Sequence, residues 1–304
     1  MSAREHMTKQ STSHLFMIEP ESFYVNEQTA FTNHYQKEAT DETPQVIAEK
    51  ALNEFHNLKN KIEDKGITVT SLKGSKDCPD HIFPNWFITF EDKTMQIFSM
   101  MAPNRRKEKK LSMIEFLTNT YELTNDMSHL EEKEIFLEST SSMVFDRVNR
   151  IVYAGISPRT NAVQLIIWCR HNNYELVLFE TESHTGSPIY HTDVLMYVGT
   201  EIIGVCFDVI TKEHRDYVQE KVSKYHDVVE LSPEQIEKFC GNAIEAKNKN
   251  DELFLILSTT AYKALNEEQI EKLLKSYSDI IHSDIPTIEK YGGGSARCML
   301  TELF

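Results

Sequence analysis

FPNWFITFEDKTMQIFSM, residues 83–100, holds two apolar, strand-like runs on either side of the polar turn Glu91-Asp92-Lys93. Short apolar runs joined by a tight polar turn predict an antiparallel hairpin. Pro103 and Asn104 then lead into a helix expected near residues 105–118. The same order returns downstream. FLESTSSMVFDRVNRIVYA, residues 136–154, turns around 147–149, and a helix-capable stretch with Val163, Leu165, Ile166 and Ile167 follows Pro158. IYHTDVLMYVGTEIIGVCF, residues 189–207, turns at Gly199-Thr200-Glu201, and its helix is expected over 211–225.

A fourth unit is less regular. Its strands are expected at 242–244 and 253–257, on either side of the polar stretch 247–251. Asn266 with Gln269 three residues later opens a helix to about Ser278, and Ser232 before Pro233 with Gln235 marks another helix start. Two apolar runs, 17–24 and 298–304, have no neighbour in sequence. Pairing them would close a ring of repeated units and leave neither edge exposed. The expectation is a flexible N-terminal segment, 1–13, followed by one α/β domain, 14–304, of about five hairpin-plus-helix modules around an axis. An open α/β sheet is the alternative.

Composition narrows the partners. With 304 residues, 40% hydrophobic and 26% charged, the chain has the makeup of a globular protein able to bury a large core. Its net charge of -15 opposes nucleic-acid binding, and its compact basic run, Arg105 to Lys110, reads as a solvated helix face. No apolar stretch has the length of a membrane span or the flanks of a signal peptide, so a cytoplasmic location is expected. The five cysteines, Cys78, Cys169, Cys206, Cys240 and Cys298, are odd in number and lack CxxC spacing. Each is expected to be a free thiol. The twelve histidines form no HExxH pattern, so neither a metal nor another cofactor is expected, while a homo-oligomer is compatible with the sequence.

The sharpest chemical signal is Tyr291-Gly292-Gly293-Gly294-Ser295-Ala296-Arg297-Cys298. Three successive glycines mark backbone that must turn tightly or pass close to another group. Cys298 after them reads either as a nucleophile or as a buried inert thiol, whereas the other four cysteines favour the inert reading. In Pro188-Ile189-Tyr190-His191-Thr192-Asp193, a strand start would put His191 and Asp193 on one face. An imidazole to move protons and a carboxylate to hold N–H groups suit work on a guanidine or urea carbon; a surface polar pair is the alternative. Glu138 stands at the corresponding place one hairpin earlier, and Asp80 and Asn85 at the front of the first. Rotational relation of the modules would bring these together at the axis. Arg159, Asn242 and Arg297 are further candidates for polar substrate contacts.

On FPNWF (83–87), LESTSSMVFDRVNRIVYA (137–154), PIYHTDVLMYVG (188–199) and IPTIEKYGGGSARCM (285–299), the chain resembles the guanidino-group modifying superfamily of amidinotransferases, arginine deiminases and dimethylarginine hydrolases. It looks closest to the branch described as citrulline hydrolases. The resemblance implies a five-module, pseudo-symmetric α/β propeller (pentein-like), with Cys298 as nucleophile, His191 as the family's histidine, and Asp193 and Glu138 as its carboxylates. Many members carry an acidic residue after a phenylalanine in the first hairpin; here Pro84-Asn85-Trp86 stands there, leaving Asp80 or Asn85 for that place. The implied activity is hydrolysis of the ureido group of citrulline, a small amino-acid substrate, to ornithine, ammonia and carbon dioxide. Arginine deimination, amidino transfer and a noncatalytic binding propeller are the alternatives.

Overall fold

The structure, a computed structural model, describes residues 8–37 and 42–304. Its frame is five three-stranded sheets of one pattern. Four begin with antiparallel hairpins: Phe87–Thr89 with Thr94–Ile97, Val144–Asp146 with Ile151–Gly155, Met196–Val198 with Ile202–Val205, and Ile244–Lys247 with Leu253–Ser258. The second strand of each then pairs in parallel with a third: Glu122–Asp126, Glu175–Phe179, Asp227–Glu230 or Asp279–Ser283. A parallel neighbour cannot be reached through a tight turn. The helices Leu111–Thr118, Ala162–His171, Lys212–Ser223 and Glu267–Ser276 supply the crossovers.

The hairpin-plus-helix unit read from sequence therefore lacked its third strand. ELTND at 122–126 and DVVE at 227–230 are largely exposed edge strands, so polar side chains replace the apolar run that marks a buried strand.

The fifth sheet closes the ring. His14–Glu19 is its middle strand, antiparallel to Thr301–Glu302 and parallel to Thr68–Lys73. The first strand thus lies earlier than the expected 17–24, stopping before Pro20, and the terminal run shortens because Arg297–Met299 forms a single helical turn. The crossover helix Pro44–Glu63 is capped by Thr43 and buries Ile47, Ala51, Phe55, Leu58 and Ile62 at spacings of three and four. Each large apolar side chain so buried contributes roughly 1.5–3 kcal/mol.

Three expectations change. Residues 1–7 of the supposed flexible segment lie outside the described residues, but Gln10 is buried: its Nε2 donates to the carbonyls of Phe145 and Val198, and its Oε1 accepts from the Arg147 amide. It bridges two modules. The helix expected over 105–118 splits into Pro103–Arg106 and Leu111–Thr118, and its basic run is no solvated face. Arg105 is buried against Glu108, Arg106 donates to the carbonyls of Met100 and Met101, and Lys109 pairs with Glu131. Third, His191 to Asp193 is no strand start: Thr192–Val194 is one helical turn with His191 at its N-cap. Among the described residues no helix is long and apolar enough to cross a membrane.

Candidate active site

First strands of neighbouring sheets touch: Phe87–Thr89 contacts Thr301–Glu302, and Met196–Val198 contacts both Val144–Asp146 and Ile244–Lys247. The segments entering those strands meet at one end of the ring, each carrying chemistry: Asp80 and Asn85 before Phe87, Glu138 before Val144, His191 and Asp193 before Met196, Asn242 before Ile244, and Cys298 before Thr301. Repetition of one architectural position places these residues together, although nearly 220 residues of chain separate the first from the last. Asp80, Asn85, Arg159, His191 and Cys298 line one pocket.

The glycine run shapes the nucleophile's loop. Gly293 caps the helix Pro286–Gly292 with φ of 61°, a left-handed conformation that favours glycine, and a Cβ at Gly292 would lie 2.8 Å from the Phe83 ring. Asn33 Nδ2 donates to the carbonyls of Gly292 and Gly293, and the Tyr190 hydroxyl donates to that of Gly293. The loop delivers Cys298 to a buried position. Its backbone N–H donates to Asn242 Oδ1 at 3.3 Å, Asn242 Nδ2 donates to Sγ at 3.1 Å, and Sγ lies 3.6 Å from Asp193 Oδ2. Burial first, then the Asp193 charge, push the thiol pKa well above its ordinary value; the Ser295 amide and Asn242 act the other way. The surroundings disfavour the thiolate of Cys298, the form in which a cysteine reacts.

His191 is the buried imidazole of the same pocket. Its Nε2 lies 2.6 Å from Glu138 Oε2, and burial lowers its pKa against the pull of the carboxylate, so the ring rests neutral at pH 7. Burial also opposes the charge on Glu138, but Arg159 at 3.6 Å and the hydrogen bond to His191 outweigh it and hold the carboxyl at about 2. The Met101 amide donates to its other oxygen. Glu138 is thereby a fixed acceptor that orients the imidazole.

Two arginines and two further carboxylates complete the charge pattern. Arg105 is held by Glu108 and donates to Asn85 Oδ1 at 2.6 Å. Asn85 Nδ2 donates to Ser141, whose hydroxyl donates to Asp193 Oδ2. Asn26 and Thr29 donate to Asp80 Oδ2. With Arg105 matched by Glu108 and Arg159 by Glu138, Asp80 and Asp193 form no ion pair of their own among the described residues. Each keeps one buried oxygen, Oδ1, with no hydrogen-bond partner among the described residues. Burial raises the pKa of both.

Of the residues singled out from sequence, Asn242 sits against the sulfur as a positioning group, and Arg159 binds Glu138, Thr29 and Thr32. Arg297 is not brought into the pocket: it donates to the Leu300 carbonyl and to Glu302 beyond Asp193. Sequence reasoning missed Arg105, Ser141 and the polar segment from Asn26 to Asn33. The Arg-x-x-Glu spacing of Arg105 and Glu108 on a helix start was the available signal for the first.

Five repeated modules around a cysteine, a histidine and paired carboxylates define a pentein-type enzyme of the guanidino-group modifying superfamily. The family model described as N,N dimethylarginine dimethylhydrolase, eukaryotic, matches residues 19–304, and the chain belongs to that family. The match does not single out a citrulline-hydrolase branch. No curated protein matched the chain. Among solved structures, the chain is similar to the N-terminal domain of ArgZ, an arginine dihydrolase from the ornithine–ammonia cycle in cyanobacteria, at 15% identity, covering 95% of this chain and 97% of that one with a TM-score of 0.75. A variant of AgrE in complex with L-arginine gives 12% identity and a TM-score of 0.76, covering 96% of this chain and 40% of that one. A dimethylarginine dimethylaminohydrolase variant in adduct with S-methyl-L-thiocitrulline gives 16% identity, 98% and 100% coverage and a TM-score of 0.65. At these identities the likenesses support the fold.

Proposed function

We propose that this chain is a cytoplasmic, cysteine-dependent hydrolase of a guanidino compound of the arginine type. The carrying observation is the pair of buried carboxylate oxygens, Asp80 Oδ1 and Asp193 Oδ1, left without donors among the described residues, with Asp80 in the pocket of the Cys298 thiol and Asp193 against its sulfur. A planar, cationic group rich in N–H donors matches two such acceptors with charge-assisted hydrogen bonds. This reading favours arginine over the citrulline expected from sequence.

In the proposed reaction Cys298 Sγ forms a bond to the central guanidino carbon. The thiol proton passes to His191 and from it to the departing nitrogen as the C–N bond breaks. Loss of ammonia leaves a thiouronium adduct; water adds to its carbon and the C–S bond breaks, one proton returning to the sulfur and the other passing through His191 to ammonia as ammonium, and citrulline is released. Repetition on the ureido group releases a second ammonia and leaves the carbamate of ornithine, whose loss of carbon dioxide gives ornithine. Glu138 holds the imidazole throughout, and Asp193 holds substrate nitrogen beside the sulfur. That this family member is similar in fold to an arginine dihydrolase supports the two-step outcome.

Direct hydrolysis of citrulline is the second reading, favoured by Asn85: the residue is neutral and both ends of its amide are engaged, so it adds no charge for a cation. Purified protein offered arginine and citrulline separately, with ornithine, citrulline and ammonia quantified, decides between them. Turnover of arginine supports the main reading; ornithine from citrulline with arginine inert selects the second. Inactivity on both overturns free arginine and citrulline as substrates.

A further inference from the structure

Glu289 has no part in the chemistry above, yet it is a buried carboxylate two turns of chain from the nucleophile. What meets it are hydroxyls. Ser295 Oγ donates to Oε1 at 2.7 Å, Thr260 Oγ1 donates to Oε2 at 2.7 Å, and the Ser258 side chain adds a further bond. Its own carbonyl accepts from the Gly293 amide at 3.0 Å, so the same residue grips the glycine turn at both backbone and side chain. Ser295 is fully buried, three residues before Cys298. A chain of contacts therefore runs from the end of the strand Leu253–Ser258, through Glu289, to the turn that carries Cys298.

A buried carboxylate held by neutral donors is an expensive way to fill space, because burial disfavours its charge. An apolar side chain would pack there more favourably, but only an acceptor can fix the Ser295 hydroxyl and so the orientation of its peptide. We propose that Glu289 is a positioning residue: by accepting the Ser295 hydroxyl and the Gly293 amide it holds the glycine turn that delivers Cys298 to the pocket, and its loss leaves that thiol less reactive. The proposal rests on Cys298 being the nucleophile. The groups that also act on the sulfur are Asp193, Arg297 and Asn242, while Lys238, Glu54 and Cys240 interact with Glu289 itself.

The test uses iodoacetamide, which reads the thiol directly and needs no substrate. Alkylation of Cys298 is followed by peptide mass spectrometry as a function of pH in the full-length protein and in Glu289→Ala, Glu289→Gln and Ser295→Ala, with circular dichroism to confirm folding. Ser295→Ala keeps the carboxylate and serves if Glu289→Ala does not fold. In both alanine variants the profile is expected to move up by about one pH unit, a roughly tenfold slower reaction at fixed pH, while Glu289→Gln, which keeps an acceptor oxygen, stays within about threefold of the parent on the same scale. An unmoved profile in a folded alanine variant, or Glu289→Gln behaving like alanine, overturns the proposal. Turnover by Cys298→Ala, measured in parallel, tests the nucleophile reading separately.

Discussion

The thiol of Cys298 is held in a site that disfavours its charge until substrate arrives. Burial and the neighbouring Asp193 raise its pKa, so reactive thiolate is scarce in the free protein at neutral pH. Alkylation of Cys298 by iodoacetamide is accordingly expected to speed up about tenfold per pH unit between pH 7 and 9; a plateau below pH 8 would mean that the thiol is already ionised. A bound guanidinium would offset the Asp193 charge and ease the loss of the proton. Asp80 is where binding is expected to be most sensitive, since its free Oδ1 is an ionic acceptor. Asp80→Asn removes a charged hydrogen bond worth about 1.5–3 kcal/mol, so KM for arginine should rise by roughly 10- to 100-fold, with a smaller effect on kcat, in steady-state assays. An unchanged KM would place the substrate elsewhere.

At the scale of elements, the repeated entry into each inner strand is what brings the site together, and the caps and crossovers hold those entries in place. Asn266 and Gln269 form a reciprocal capping box, as do Ser232 and Gln235. Asn266→Ala should cost about 1 kcal/mol of stability, read as a lower urea midpoint, and leave kcat unchanged, because the helix Glu267–Ser276 buries only Leu273 and packs against the strand Asp227–Glu230, which carries none of the site residues. A fall in kcat would tie that helix to the site. These capping boxes were legible in the sequence because their signals are local: donor and acceptor stand three residues apart. The hairpins were legible for the same reason. The third strands Glu122–Asp126 and Asp227–Glu230, largely exposed, were not, and neither was the single helical turn that places His191 and Asp193.

For the whole molecule, ring closure between the two ends of the chain was readable from two apolar runs that lacked partners, and it is what makes five separate segments share one pocket. The roles of Arg105, Ser141 and Asn242 were not readable, because each depends on neighbours brought from other modules. The same convergence concentrates buried charge, so the acid limb of stability should report on it. Glu138 has its carboxyl held at about 2 against an ordinary 4.5. Between those values the unfolded chain binds a proton that the folded one refuses. Its contribution is therefore complete above pH 4.5 and lost as pH falls toward 2, amounting to roughly 3 kcal/mol. His191, lowered by burial, adds to the loss below pH 6.5, while Asp80 and Asp193, raised by burial, act in the opposite direction. Glu138→Gln is expected to be less stable at pH 7 but to lose less between pH 4.5 and 2 when urea midpoints are compared. An acid limb as steep as the parent's would deny Glu138 this role.

The covalent step can be observed by mixing the protein with arginine, quenching in acid during turnover and examining the Cys298 peptide by mass spectrometry. A substrate-derived mass on Cys298, absent after turnover is complete, together with loss of product formation in Cys298→Ala, is the expected result. Turnover that leaves Cys298 unmodified at every time and persists in Cys298→Ala would contradict a covalent thiol mechanism.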